Sequence, residues 1–373
     1  MPMRWRSPHF FSLAILLALG SCGKFFPDET SCTTNCTTTS GNYMYVGNSN
    51  TANIAGFSIS SSGITGLSNS PYSVGVSPSD LAITPSNSYV YAASLAGGVY
   101  GYSVGTNGAL TVINSGNPVI TGISPNTLKV DTSGKWLVLV DATPTAYVFS
   151  INSDGTVASA GSVPLAAGSS PYRLVFTPSD NFVYVSLGTV GVGILSFNST
   201  TGVLTNNNQV LKPKQSSDAI YGLAVNSAGT YLYAAESGIN GIRVLAITST
   251  TGALTEITGS PYTTGTGPYG VLIDSTGSYL YVANRASNSV SGFLISSSGA
   301  LTQISGSPFT TGTNPIDIAE DNTHTYIGVV NAGGSPDLQV YTISTSTPGA
   351  LVAYKSTATG TDPTNALAIV AAN

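Results

Sequence analysis

The chain has 373 residues, of which 7% are charged and 42% hydrophobic, and its 11 Lys and Arg against 16 Asp and Glu leave a net charge of -5. That balance excludes a phosphate-tracking nucleic-acid binder, which needs a basic patch, and 20 Tyr with 11 Phe exclude a chain too polar to build a core. Helix-forming Glu, Lys and Arg are scarce while β-branched and aromatic residues are plentiful, so an all-β fold under a Ser, Thr, Asn and Gly surface is expected.

In chain order, Arg4 and Arg6 come first, ahead of the apolar run Phe10 to Leu19 and the small residues Gly20 and Ser21. A positive stretch, a short apolar run and small residues make a secretory signal over residues 1–21. The run is too short for a transmembrane helix, which needs about 20 residues. Leu19 to Cys22 (LGSC) resembles the bacterial lipobox. That resemblance implies a multiply acylated Cys22, since a single acyl chain holds a protein to a membrane only marginally. An exported lipoprotein of the cell envelope is therefore expected. The simpler alternative is an ordinary secretory signal with a chance cysteine. Cys32 and Cys36, in CTTNC, suit a disulfide in an oxidising compartment. A zinc site is the competing reading, but no histidine lies nearby to complete the ligands. Residues 22–40, rich in Thr and Ser, read as a tether.

Beyond residue 41 a phrase recurs: a proline, two variable residues, an apolar triplet, a polar turn and an aromatic strand. Its anchors are Pro78, Pro125, Pro171, Ile220, Pro268, Pro315 and Pro363, spaced 46 to 49 residues apart. Each repeat has room for four short strands, the pattern of a propeller blade. In the repeat at Pro171 these are Leu174–Phe176, then Phe182–Ser186, then residues 193–197, then an outer strand after a hairpin. Leu301 and Ile304 mark that outer strand in another repeat. The stretch from Asn42 to Val76 carries the second, third and fourth strands of a blade but no first. Pro363 to Val370 carries a first strand and nothing after it. Joined, they complete a seventh blade, so a seven-bladed β-propeller over residues 41–373, closed by its two ends, is expected. An open solenoid would need polar caps.

The segment Leu280 to Ile304 (LYVANRASNSVSGFLISSSGALTQI) is similar to blades of the lactonase-type propeller family, which includes 6-phosphogluconolactonases and YVTN-repeat proteins. The resemblance extends over all seven repeats and implies a lactone hydrolase. It also implies a histidine two places after a blade's proline, often beside an arginine, and a glutamate on the next upper loop. Here those inner positions read Asp80, Thr127, Arg173, Gly222, Gly270, Asp317 and Asn365, and the only histidines of the chain are His9 and His324. His9 falls in the leader, and His324 is expected in an exposed turn on the opposite face. Glu236 lies one residue short of the glutamate position in the blade after Arg173, and Leu187 occupies the neighbourhood of that position in Arg173's own blade. The family's catalytic set is not present as a set.

The strand order directs Asp80, Arg173 and Asp317 to the channel mouth, with Asn48, Asp141, Glu236 and Arg285 on neighbouring loops. Arg173, Glu236 and Arg285 are the candidate catalytic side chains, with Arg173 to stabilise an oxyanion and Glu236 to activate water. Asp80, Asp141 and Asp317 are the candidate ligand-binding carboxylates. The bland alternative is that these charges pair with one another and close the channel. Tyr172, Tyr221 and Tyr269 read as packing residues before sugar platforms. With no phosphate loop, HExxH, GxSxG triad or DxDxDG calcium loop, no metal or cofactor is expected. Two functions remain. One is a monomeric, lipid-anchored module binding a protein or glycan; the other is a hydrolase of an unphosphorylated lactone.

Overall fold

The structure, a computed structural model, describes residues 41–360 and 365–372. The leader, the lipidation candidate Cys22, the thiols Cys32 and Cys36 and the anchor Pro363 lie outside these residues. The described chain is all-β: seven four-stranded antiparallel blades form a β-propeller. The inner strands are Ala366–Ala371, Asp80–Ile83, Pro125–Val130, Leu174–Phe176, Ile220–Val225, Pro268–Ile273 and Pro315–Glu320. Each packs beside the next, and the last returns to the first. Blades are numbered here from the composite one, which holds both ends of the ring.

Closure follows the expected pairing. Ala366–Ala371 lies antiparallel to Tyr43–Asn48, with Met44 opposite Ala371 and Val46 opposite Ile369. The Ala372 amide donates to the Tyr43 carbonyl at 2.9 Å. The first blade thus takes its inner strand from the C-terminal end and its other strands from the N-terminal part.

Turn chemistry explains where each inner strand stops. Thr84, Asp131, Thr177, Asn226, Asp274 and Asp321 occupy one repeat position at the strand end. The side chain of each accepts the backbone N–H five residues later, at 2.5 to 3.2 Å. This Asx- or ST-type closure sets the polar turn and launches the aromatic second strand. His324 sits in such a turn with φ of +55°, its side chain 57% exposed.

The outer strands depart from a uniform plan. In blades one, five and six the outer strand is broken, as Gly63–Gly66 then Tyr72–Ser73, Leu254–Glu256 then Tyr262–Thr263, and Leu301–Gln303 then Phe309–Thr310. Both pieces pair with the same third strand. At each break a Ser–Pro peptide is cis. The serine hydroxyl of that pair accepts a third-strand N–H: Ser70 from Gly56, Ser260 from Val244 and Ser307 from Gly292, at 2.9 to 3.0 Å. A ladder donor that would otherwise be orphaned is satisfied. Blades three and four instead keep unbroken outer strands, Val157–Pro164 and Val203–Leu211.

Neighbouring blades are held by a second repeated device. The middle tyrosine of a second strand reaches into the hairpin of the next blade and donates to a glycine carbonyl. The pairs are Tyr45–Gly108, Tyr91–Gly155, Tyr184–Gly252, Tyr233–Gly299 and Tyr281–Gly349, at 2.7 to 3.3 Å. The aromatic residue two places earlier covers the same glycine. A Cβ on Gly252 would lie 2.6 Å from Phe182, and one on Gly349 2.4 Å from Tyr279. Both glycines also have φ near +70° to +77°, a region that favours glycine. The aromatic strand is therefore a socket for the following blade as well as core.

Candidate functional site

The upper face is the one where inner strands begin and second strands end. Three inner positions converge there. Arg173 of blade four reaches across the channel to Asp80 of blade two at 3.2 Å and to Asp317 of blade seven at 2.9 Å. Its side chain is 19% exposed, against 7% for Asp80 and 16% for Asp317. The expected meeting of these three residues at one mouth is therefore present.

Every carboxylate oxygen in this trio is already engaged. Asp80 Oδ1 accepts the Leu81 amide and Arg173, while Oδ2 accepts the Thr127 hydroxyl at 2.8 Å and the Leu128 amide. Asp317 Oδ1 accepts the Ile318 amide, and Oδ2 accepts Arg173 and the Ile369 amide at 3.1 Å. Asp80 thus ties blade two to blade three, Asp317 ties blade seven to blade one, and Arg173 spans the ring between them. Burial raises the Asp317 carboxyl above the ordinary range; the Arg173 charge opposes this, and Asp80 adds to it. Burial works against the Arg173 charge, yet the two carboxylates hold it more firmly protonated than a free arginine. One cation faces two carboxylates, so the cluster has no positive charge to spare.

The wall on the side of blades five and six has a different character. A Cβ on Gly222 would lie 2.1 Å from the Tyr269 carbonyl oxygen, and one on Gly270 2.8 Å from the Ile316 carbonyl oxygen. Inner strands approach so closely there that no side chain fits at the inner position. The residues just before, Tyr221 and Tyr269, stack at 4.5 Å with an interplanar angle of 22°, and Tyr172 stands edge-on to Tyr221 at 4.6 Å. All three are half-buried. Exposed Arg285 places its guanidinium carbon 5.5 Å from the Tyr269 ring centre, in cation–π range. The tyrosines pack on one another, as expected, and together with Arg285 they leave part of a π-rich surface open at the mouth.

Two candidates are placed elsewhere. Glu236 is fully buried, not beside Arg173: Oε2 pairs with Arg243 at 3.2 Å and Oε1 accepts the Lys214 amide. Arg243 also binds Glu256 at 3.0 Å and the Lys212 carbonyl, and the Lys214 ammonium meets Glu256 at 2.7 Å. Burial raises the Glu236 carboxyl, although the Lys214 amide and Arg243 both pull it down. Burial also works against Glu256, but its bonds to Lys214, Arg243 and Ser260 leave it below the ordinary carboxylate value. This network pins the 212–218 loop over blade five. Asp141 is likewise inside its own loop, accepting the amides of Thr143 and Thr145 and the hydroxyls of Thr143 and Tyr147.

A rule unites these placements. Asn48, Ser94, Asp141, Ser186, Glu236, Asn284 and Asn331 all end second strands, and all are buried. This repeat position is turned inward under the upper face, in most blades capping the loop from within and at Ser186 bonding the Arg173 backbone. Asn48, for example, donates to Asn53 and to the Thr359 carbonyl. Sequence reasoning missed Arg243. A lone arginine inside the apolar strand Gly241–Ile247, in a chain with so few charges, was the available signal that Glu236 has a buried partner. Among the described residues no group of His, Cys, Asp or Glu side chains is arranged to hold a metal.

A closed ring of seven four-stranded blades around a braced polar channel defines the class of protein. More particularly, the chain belongs to the family described as "Lactonase, 7-bladed beta-propeller", whose profile matches residues 37–319. No curated protein matches it by sequence. Among solved structures, a protein from Lactobacillus plantarum is 21% identical with a TM-score of 0.74, covering 89% of this chain and 100% of its own. A putative 6-phosphogluconolactonase from Bacteroides fragilis is 19% identical with a TM-score of 0.73, covering 90% and 99%. The periplasmic gluconolactonase of Pseudomonas aeruginosa is 16% identical, also with a TM-score of 0.73, covering 90% and 99%. At these identities the likeness is one of fold.

Proposed function

We propose that this protein is an exported, lipid-anchored propeller that binds a protein or glycan at its upper mouth without transforming it. One observation carries this reading. Both oxygens of Asp80 and of Asp317 accept protein donors, and Arg173 is taken up between them, so the charges that meet at the mouth are committed to bracing the ring. Glu236, the other candidate base, is sealed away with Arg243. The open tyrosine and Arg285 surface supports contact with a ligand.

Lactone hydrolysis is the second reading, supported by family membership and by the activities named for the neighbouring structures. The two readings separate in an assay of the detergent-solubilised full chain on glucono-δ-lactone. We expect no hydrolysis above the spontaneous rate. Hydrolysis above that rate by the unaltered chain would establish the second reading. Its rate would then fall with pH through the carboxylate range without a histidine step, since His324 lies in a turn on the other face. The anchoring part of the proposal is read separately: Cys22→Ala should move the protein from the detergent phase to the aqueous phase of a cell extract. Unchanged partitioning would refute the lipid anchor and leave the mouth assignment untouched.

A further inference from the structure

Away from the mouth, the upper rim carries a groove of about 220 Å³ between blades three and four. It exists because the outer strands Val157–Pro164 and Val203–Leu211 are unbroken and rise side by side to the upper face. Its floor is aliphatic, formed by Leu165, Leu187 and the bare backbone of Gly193, where a Cβ would come within 3.0 Å of Leu187. Its rim is made of amides. Asn206 fixes the wall, donating to the Pro164 carbonyl at 2.7 Å and accepting the Asn208 amide at 2.9 Å. A bulge opposite Ile194 and Leu195 pushes out the next residues, with Asn208 at φ of +55°. The side chains of Asn208 and Gln209 are exposed and make no hydrogen bond among the described residues.

The lining contains no charged side chain. An anion would find no cation there, and a metal no carboxylate. What it offers is a set of paired donors and acceptors above a small apolar floor. The groove is small and half open to solvent, with room for one small ring and not for an acyl chain or a helix. We infer that this groove is a binding site for a neutral saccharide ring. Vicinal hydroxyls would meet the amides of Asn208 and Gln209, and the C–H face would rest on Leu165 and Leu187. The site is separate from the mouth and does not depend on the function proposed for it.

The test uses the full chain in detergent with methyl glycosides of glucose, galactose and mannose as probes, read by saturation-transfer NMR and titration. At least one glycoside should bind. Asn208→Ala with Gln209→Ala should weaken it by about tenfold or more, as expected for two lost hydrogen bonds. Gly193→Val, which fills the floor, should do the same, and Tyr221→Ala at the mouth should leave binding unchanged. Because both side chains are exposed, the fold should survive their replacement, with a small loss of stability from alanine at the positive φ of Asn208. The inference is overturned if no glycoside shows saturation transfer, or if binding survives the amide variants. It is also overturned if binding is lost in Tyr221→Ala instead, which would assign the saccharide to the mouth.

Discussion

A chain ending at residue 364 should lose its single cooperative unfolding transition and self-associate. The deletion removes the inner strand Ala366–Ala371, and with it the buried Ile369 and Val370. At about 1.5–3 kcal/mol per buried aliphatic side chain, those two alone account for roughly 3–6 kcal/mol. That is comparable with the whole stability of a typical domain, about 5–15 kcal/mol. The strand Tyr43–Asn48, buried along its entire length, would become an open edge. Met44, Tyr45 and Val46, now fully buried, would be uncovered beside it. An apolar strand with unpaired N–H and C=O groups is a template for pairing with another molecule. Asp317 would also lose the Ile369 amide and become a less satisfied buried carboxylate. Light scattering together with thermal unfolding reads the outcome. A monomer with an unchanged transition would show that the seam does not hold the ring.

Replacing Arg173 by alanine should cost about 3–5 kcal/mol at neutral pH, the range for removing one partner of a buried ion pair. Asp80 and Asp317 would be left across the channel as like charges without a cation. The loss should depend on pH in a definite direction. The Asp317 carboxyl already sits above its ordinary value, chiefly through burial, and losing Arg173 removes the interaction that opposes the shift. A carboxyl raised in the folded state binds its proton more tightly there than in the unfolded chain. The variant should therefore recover stability as pH falls through the raised value, with the full deficit present above it. Denaturant unfolding at neutral pH and near pH 4 checks this. Asp317→Asn in the Arg173→Ala background should restore part of the stability at neutral pH. An equal deficit at both pH values, with no rescue, would mean that the trio is not the brace its geometry describes.

The blade count and the ring closure were legible because they are periodic. A missing first strand before Tyr43 and a surplus one after residue 363 can be matched by inspection. The convergence of Asp80, Arg173 and Asp317 was legible for the same reason, since one repeat position always faces the channel. What that position does was not. Arg173 meets partners from blades two and seven, and a spacing of 46 to 49 residues says nothing about which side chains span a ring. The end of the second strand was misjudged as a mouth position because it lies on the upper face. Burial under its own loop depends on partners such as Thr359 for Asn48 and Arg243 for Glu236. The breaks in the outer strands were not foreseen: Ser70–Pro71, Ser260–Pro261 and Ser307–Pro308 lie at them, but Ser–Pro also precedes inner strands, as at Ser124–Pro125 and Ser170–Pro171. A proline cannot donate to a ladder, and a serine before it can take up the third-strand donor.

The socket between neighbouring blades runs one way round the ring, from tyrosine to the next glycine. Between blades three and four its place is taken by Trp136, whose indole donates to the Ser199 carbonyl at 2.7 Å and whose ring covers Gly202. Between blades seven and one it is absent. Gly328 stands where the tyrosine would be, letting Met44 and Ile369 approach, and Tyr354 on the outer strand donates to the Ser60 carbonyl instead. A head-to-tail contact does not count: five identical joints would accept a sixth or an eighth neighbour as readily as the one they have. Two of the seven joints depart from the tyrosine socket, the tryptophan one between blades three and four and the seam between blades seven and one. Only at the seam does the blade itself join strands from opposite ends of the ring, Ala366–Ala371 on Tyr43–Asn48, so closure there rests on strand pairing where the other joints add a socket.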